Sequence, residues 1–362
     1  MRTFDVVIVG AGTSGLTARR QVAKETDSYL VVDDGPLGTT CARVGCMPSK
    51  VLIQVANDFD RRHQMDVMGI HGGEKLEVNP VEVMKHVRSL RDRFVRGVKN
   101  PMSDWEDHFV SGRATFVDSH TLEINGEKVR AEKIILAAGS RPMIPEPWMD
   151  YRDDLITTDQ FFEMEELPKT MAVVGLGVIG IELGQALNRL GIKVYGITRG
   201  KGIGGLTNPE IQDYVAQKFS EEMSLYFGGA NLIGRNEKRQ LQFKAGDEII
   251  EVDKALIAVG RRPNVDRVGV EAIGVTLDER GIPEVDPNTM RLKEAPHIFM
   301  PGDVNGDRPI LHEAADEGLI AGHNAAGRDE CFRRRVSLGI TFSDPNIATV
   351  GQRYQELVDE GV

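Results

Sequence analysis

One glycine fingerprint occurs twice in this chain. Gly10, Gly12 and Gly15 form G-x-G-x-x-G in "DVVIVGAGTSGLTARRQ", and Gly175, Gly177 and Gly180 repeat it 165 residues later in "MAVVGLGVIGIELGQ". Each follows an apolar, β-rich run and opens a segment with helical apolar spacing, so each reads as strand, tight turn, helix. The first glycine permits the turn. The second lets backbone approach a pyrophosphate on the helix N-terminus, and the third lets helix and strand pack closely. A bare fingerprint is a weak signal, but two in the full strand–turn–helix setting predict an α/β chain with two Rossmann-like domains and two dinucleotides.

The residue that ends the second strand of each unit refines this. Asp33 lies 18 residues after Gly15, where an acceptor for ribose hydroxyls is expected. The first site therefore suits a free ribose, as in FAD or NAD. The same count from Gly180 reaches Thr198, followed by Arg199. A neutral residue and an arginine there would accept a 2′-phosphate, so the second site leans toward NADP over NAD. Lys201 lies close by, and as a loop lysine it reads as solvated.

The stretch "TTCARVGCMPSKV" (39–51) places Cys41 and Cys46 five residues apart. An undistorted helix would advance ~7.5 Å over that interval, beyond the ~7 Å that a disulfide spans between Cα atoms. The pair must close across a non-helical turn, for which Gly45 gives the freedom. Pro48 suits the first turn of a helix, and "SKVLIQVANDFD" continues with helical spacing. Cys46 is thus expected at a helix N-terminus, where the dipole favours a thiolate. Lys50 follows one turn on. A stabilised thiolate, a partner thiol and a neighbouring dinucleotide fold together point to a redox-active disulfide.

Composition narrows the alternatives. The 362 residues are 41% hydrophobic and 27% charged, as in soluble globular proteins. The strand-like run begins at Phe4, which leaves no room for a signal peptide, and a cytoplasmic location is expected. No apolar run is long enough to span a membrane, and a net charge of −11 argues against nucleic acid or anionic membrane as partner. The eight histidines are scattered singly, so no metal site is expected. Cys331 reads as an incidental thiol, "FRRRV" (332–336) as a solvated linker, and the basic residues of the helical 74–108 region as a solvated face. His63, His71 and His120 read as surface or loop positions, and Trp148 as packing.

The cysteine stretch resembles the "GGTCLNVGCIPSK" signature of the FAD-containing pyridine-nucleotide disulfide oxidoreductases, a family that includes dihydrolipoamide dehydrogenase, glutathione reductase and mercuric reductase. "KIILAAGSRPMIP" (133–145), with Ala138 and Gly139, is similar to the element that closes the family's first FAD segment, where threonine is usual in place of Ala138. "ALIAVGRRPNVD" (255–266), with Gly260, resembles the end of its NAD(P) domain. "HIFMPGDVNGDRPILHEAADEG" (297–318) is similar to its second FAD segment, and "FSDPNIATVG" (342–351) to the start of its interface domain. The resemblance covers nearly the whole chain.

It implies a glutathione reductase-like fold and an electron path from NAD(P)H through FAD to a Cys41–Cys46 disulfide. By that resemblance Cys46 is the thiol beside the flavin, Cys41 exchanges with substrate, and Lys50 pairs with Glu182 near the flavin. Without it, Glu182 would read as an ordinary helix-surface residue. Asp303, after Gly302, would contact the ribityl or ribose; Leu311 and His312 would lie along the flavin ring; and Gly112 joins the FAD-binding set. The implied activity is closest to dihydrolipoamide dehydrogenase, with a homodimer and a lipoyl carrier protein as partners. Alternatives are an NADPH-dependent reductase of another disulfide, a quinone or a metal ion, and a non-catalytic FAD-binding scaffold.

Expected segments are 1–148 and 268–335 for FAD, 149–267 for NAD(P), and 336–362 for the start of a dimerisation domain. In the family that domain continues for roughly a hundred residues on the usual domain scale, and it holds a His–Glu pair serving as proton acceptor and donor. His312 and Glu317 mimic the spacing of that pair inside an FAD motif, and the match reads as chance. The chain is accordingly expected to be a truncated form with its interface domain mostly absent.

Overall fold

Both fingerprints sit where an apolar strand turns into a helix. The computed structural model describes residues 1–105 and 107–362. Eight elements hold most of the residues of interest: β1 (Arg2–Val9), α1 (Thr13–Val22), β2 (Tyr29–Asp33), α2 (Cys46–Asp60), β3 (Thr170–Val174), α3 (Val178–Arg189), β4 (Lys193–Thr198) and α4 (Leu311–Ala325). The chain divides into two compact units. One comprises Met1–Arg43, Arg93–Arg141 and Arg261–Arg335; the other comprises Val44–Asp92, Pro142–Gly260 and Val336–Val362.

In the first unit β1 is the centre of a sheet. It pairs in parallel with β2 on one side (Val7 opposite Leu30) and with the strand Glu127–Leu136 on the other (Val7 opposite Ile134). Phe109–Ser111 and Ile298–Phe299 extend the parallel part, while Thr121–Ile124 and Ala114–Asp118 run antiparallel beyond Glu127–Leu136. Val6–Val9 and Leu30–Val32 are buried on both faces, as apolar runs in a covered parallel sheet must be. Helices α1 and α4 cover one face through Ala18, Val22, Ile320 and Ala321. Their backbones nearly touch: a Cβ at Gly318 would lie 2.3 Å from Ser14 O, and one at Gly322 would lie 2.4 Å from Ala18 O. Each large apolar side chain buried in this way contributes about 1.5–3 kcal/mol.

The second unit repeats the plan. Its parallel sheet runs in the order Ser224–Phe227, β4, β3, Lys254–Ile257, Leu155–Ile156. An antiparallel meander follows, Asn231–Arg235, Leu241–Ala245 and Glu248–Val252. Helix α2 packs on α3 in one core with Leu52, Ala56, Ile181, Leu183 and Leu187. Trp148 packs edge-on to Phe243 with ring centroids 5.7 Å apart, in the packing role the sequence suggests. The hairpin Leu338–Thr341/Ile347–Val350 closes this unit. Among the described residues, no helix is long and apolar enough to cross a membrane.

Candidate active site

The first fingerprint has the geometry that its spacing demands. Gly10 adopts φ +107°, and its N–H donates to Val32 O at 2.7 Å. A Cβ there would lie 2.3 Å from Ala137 O, and a Cβ at Gly15 would lie 1.9 Å from Gly10 O. Around Gly12 there is open space, with nothing within 4 Å of a Cβ position. Gly12 is also the N-cap of α1 and supplies no side-chain cap, so the first-turn amides have no such partner. An open cradle over unsatisfied amides is what a pyrophosphate fits. Asp33 ends β2 beside it: one carboxylate oxygen accepts from Ala11 N–H at 2.6 Å, the other from Gly35 N–H at 2.7 Å. Two amides hold the carboxylate rigidly, and its remaining lone pairs suit ribose hydroxyls. The Gly112 N–H, just past the neighbouring strand Phe109–Ser111, donates to Asp33 O at 2.9 Å.

The second fingerprint reproduces this almost contact for contact. Gly175 has φ +91°, its N–H donates to Ile197 O at 2.8 Å, and a Cβ there would lie 2.4 Å from Ala258 O. A Cβ at Gly180 would lie 1.8 Å from Gly175 O, whereas Gly177 faces open space and caps α3 without a side chain. Thr198 ends β4 and Arg199 follows it, exposed. Lys201, read from sequence as a solvated loop lysine, is half-exposed, but its ammonium is held by Asp213 at 2.6 Å. Gly260, with φ +131°, accepts from Met143 N–H at 3.1 Å.

Cys41 lies in the short helix Thr40–Val44, and Cys46 is the first residue of α2, with Gly45 as N-cap. Both are partly exposed. Pro48 is buried in the first turn, and Ser49 Oγ donates to Cys46 O at 3.2 Å. Lys50 follows Cys46 by four residues on the same helix face. Its ammonium donates to Glu182 Oε2 at 2.7 Å and lies 4.4 Å from the centroid of the Phe342 ring. Glu182 is 4% exposed, and its other oxygen accepts from Phe342 N–H at 2.9 Å. The surface reading of Glu182 from sequence alone is therefore corrected: it sits on the packed side of α3, where only a paired carboxylate is tolerated.

Two further positions on α3 extend this stripe. Gln185 donates to Asp344 O at 2.7 Å and accepts from Asp344 N–H at 2.8 Å. The Arg189 guanidinium donates to Glu222 at 2.8 Å, Asp344 at 3.1 Å and Asn57 on α2 at 2.7 Å. Glu182 and Gln185 thus grip the backbone at 342 and 344, and Arg189 holds the Asp344 carboxylate. Sequence reasoning missed Gln185, Arg189 and Phe342. The available signal was three polar residues at core positions of an otherwise apolar helix.

In the first unit Ala138 O accepts from Asn264 Nδ2 at 2.8 Å, and Gly139 has open space over a Cβ position. Asp303 Oδ2 accepts from Ser140 Oγ at 2.7 Å, and Ser140 Oγ accepts from Arg261 Nε at 2.8 Å. Leu311 and His312 are exposed in the first turn of α4. Glu317 is fully buried and engages Gly302, Asn305 and Arg334 instead of His312.

Several charges read as solvated are buried. Arg334 of the "FRRRV" run pairs with Glu313 and Glu317. Arg91 pairs with Glu163 at 2.5 Å. His120, read as a surface or loop residue, is half-buried in a turn and stacks on His297 with centroids 3.9 Å apart. Cys331 is exposed. Among the described residues, no group of three or more His, Cys, Asp or Glu is arranged to hold a metal ion.

Known proteins share this architecture. Residues 4–318 match the family described as pyridine nucleotide-disulphide oxidoreductase. The chain is 30% identical to the dihydrolipoyl dehydrogenase of Geobacillus stearothermophilus, an alignment that covers 99% of this chain and 77% of that relative. It is 26% identical to the mercuric reductase of Staphylococcus aureus, over 99% of this chain and 66% of that one. In structure it resembles the HOCl-induced flavoprotein disulfide reductase RclA from Escherichia coli in its Cu(II) complex, with a TM-score of 0.85 at 21% identity, covering 100% of this chain and 80% of that one.

Proposed function

From the premise that this chain belongs to the pyridine nucleotide-disulphide oxidoreductase family, we propose that it is an FAD-dependent enzyme exchanging two electrons between NAD(P)H and a Cys41–Cys46 disulfide. The net step is balanced: NAD(P)H, a proton and one sulfur–sulfur bond give NAD(P)⁺ and two thiols. Bound flavin would supply two-electron exchange between a nicotinamide and a disulfide. The chain's own residues do the rest. The α1 amides and Asp33 would bind the flavin dinucleotide, with Gly112, Ala138, Gly139 and Asp303 along it, and Leu311 and His312 toward its ring. The α3 amides would bind the nicotinamide dinucleotide. Residues 1–148 and 268–335 are read as the FAD-binding segments, 149–267 as the NAD(P)-binding segment, and 336–362 as the start of an interface domain.

The observation that carries this reading is the Lys50–Glu182 pair, whose lysine lies on the helix that Cys46 opens. The helix dipole stabilises a thiolate at Cys46, and the ammonium one turn on adds positive charge that Glu182 fixes in place. Cys46 is then the sulfur that receives electrons, and Cys41 the sulfur that exchanges with substrate.

The substrate reading is a dihydrolipoyl group on a carrier protein, supported by the 30% identity to a dihydrolipoyl dehydrogenase, with the enzyme acting as a cytoplasmic homodimer. Arg199 and the lack of an acid at Thr198 favour a second reading, an NADPH-dependent reductase of another disulfide, a quinone or a metal ion. Steady-state assay of flavin-loaded protein with dihydrolipoamide, glutathione disulfide, quinones and mercuric ion, each with both nicotinamides, separates them. Turnover of dihydrolipoamide with NAD supports the first reading. Turnover of another acceptor with NADPH alone supports the second. The absence of both NAD⁺ reduction by dihydrolipoamide and NAD(P)H oxidation by any acceptor contradicts both.

A further inference from the structure

The "FRRRV" run puts an arginine in the interior of the first unit. The Arg334 side chain is 9% exposed, and its Nη2 donates to Glu313 Oε2 at 2.6 Å and to Glu317 Oε1 at 2.7 Å. Glu313 and Glu317 are one turn apart on α4 and are 2% and 0% exposed. A lone arginine therefore meets two carboxylates in a desolvated place. Arg308 adds a longer contact to Glu313 at 3.3 Å. The Arg334 Nε is buried without a protein partner among the described residues, so the two glutamates are its principal anchors.

The second oxygen of Glu317 turns to the loop that precedes Asp303. It accepts from Gly302 N–H at 2.6 Å and from Asn305 Nδ2 at 2.8 Å. Gly302 has φ +84°, and a Cβ there would lie 2.7 Å from Ser14 Oγ, so this loop presses directly on the first turn of α1. Asp303 is held from the other side by Ser140. The chain of contacts is continuous: Arg334 to Glu317, Glu317 to the Gly302 amide, and Gly302 to the residue that presents Asp303. Burial pushes the Glu317 carboxyl upward, against the pull of the Gly302 amide and Arg334. The Glu313 carboxyl is held below its usual range by Arg334 and Arg308 despite burial.

We infer that Arg334 is a positioning residue for the flavin: it holds Glu317 against the Gly302 amide and thereby fixes the loop that presents Asp303 to the dinucleotide. This rests on the reading of the chain as FAD-dependent. A buried carboxylate with no cation relaxes by taking a proton or by turning toward water, and either movement releases the Gly302 amide. A methionine in place of Arg334 would fill similar volume and leave Glu317 without a cation, while Glu313 keeps its longer contact to Arg308.

Two measurements on the full chain test this. Hydrogen exchange follows the Gly302 amide, and fluorescence titration gives the dissociation constant of FAD. In Arg334→Met the Gly302 amide is expected to exchange about tenfold faster or more, and FAD to dissociate with a constant raised by a similar factor, since breaking a buried charge pair is costly. Arg334→Lys, which keeps the charge, recovers part of both. If Arg334→Met does not fold, Glu313→Gln/Arg334→Met, with one buried charge fewer, is read in the same way. Gly302 exchange and FAD affinity both within about twofold of wild type, a difference too small to reflect a lost lock, would overturn the inference. So would weaker FAD binding with unchanged Gly302 exchange. If wild-type protein takes up no FAD, the flavin reading fails, and Gly302 exchange in Arg334→Met still decides whether Arg334 locks the loop.

Discussion

Lys50 and Glu182, 132 positions apart in the chain, meet through a 2.7 Å hydrogen bond, and the same carboxylate accepts the Phe342 amide. The bond ties the helix opened by Cys46 to the helix opened by the second fingerprint. Glu182 is the buried partner, while Lys50 keeps about a third of its side chain in water. Glu182→Ala should therefore destabilise the protein by about 2 kcal/mol, below the value for breaking a fully buried pair. Glu182→Gln, which still accepts the Phe342 amide, should cost roughly 1 kcal/mol. Urea unfolding checks both. Equal costs for the two variants would show that the Phe342 amide bond adds nothing to the ion pair, and no cost for Glu182→Gln would show that the ion pair adds nothing to that bond.

The glycines of the first fingerprint separate folding from binding. Gly15→Ala places a methyl 1.9 Å from Gly10 O, and the overpacking should cost ~2 kcal/mol or more. Gly12→Ala meets only open space, so stability should stay within ~0.5 kcal/mol of wild type. FAD affinity should nevertheless fall about tenfold, equivalent to ~1.4 kcal/mol, because the methyl occupies the pyrophosphate's approach. Thermal melts and flavin titration of the two variants read the two effects separately.

Arg199 stands exposed at the end of β4 with no acid beside it. Arg199→Glu should raise KM for NADPH by about tenfold or more, the worth of a charge-assisted hydrogen bond. With kcat little changed, this would mark the loss of ground-state binding alone. KM for NADH should change far less. Equal changes for both nicotinamides would remove Arg199 from the specificity argument.

The stacked rings of His120 and His297 make stability depend on pH. Burial pushes the His297 imidazole below its usual 6.5, and His120 and Lys133 push it the same way. The unfolded chain therefore takes up this proton at a higher pH than the folded protein does. The contribution is fully present above about pH 6.5 and is lost as the pH falls toward the folded value. The stability read from urea unfolding should fall further between about pH 7.5 and about pH 5.5 in wild type than in His297→Gln. An unchanged difference would show that His297 does not titrate with folding.

The parts of the fold legible in the sequence were those set by local chemistry. The spacing of Gly10, Gly12 and Gly15, and its repeat at 175–180, fixes turn, cradle and helix contact within a few residues. Asp33 ends its strand where that spacing puts it. Arg91 and Arg334 were misread from their residue type, and Glu182 was placed with Lys50 only by the family resemblance, because their burial depends on distant partners. Glu182 needs Lys50, Arg91 needs Glu163, and Arg334 needs two glutamates on α4. A charged letter reports its desolvation cost but not the counter-charge that offsets it. Gln185 and Arg189 were missed for the same reason, since their partners lie around Asp344.

The central claim is that Cys41 and Cys46 exchange electrons with a nicotinamide. Thiol titration of flavin-loaded protein under nitrogen, before and after one equivalent of NADPH or NADH, tests it most directly. The expected result is two additional reactive thiols per chain in wild type and no gain in Cys41→Ser or Cys46→Ser. An unchanged thiol count in wild type with both nicotinamides, while FAD is bound, would contradict the claim.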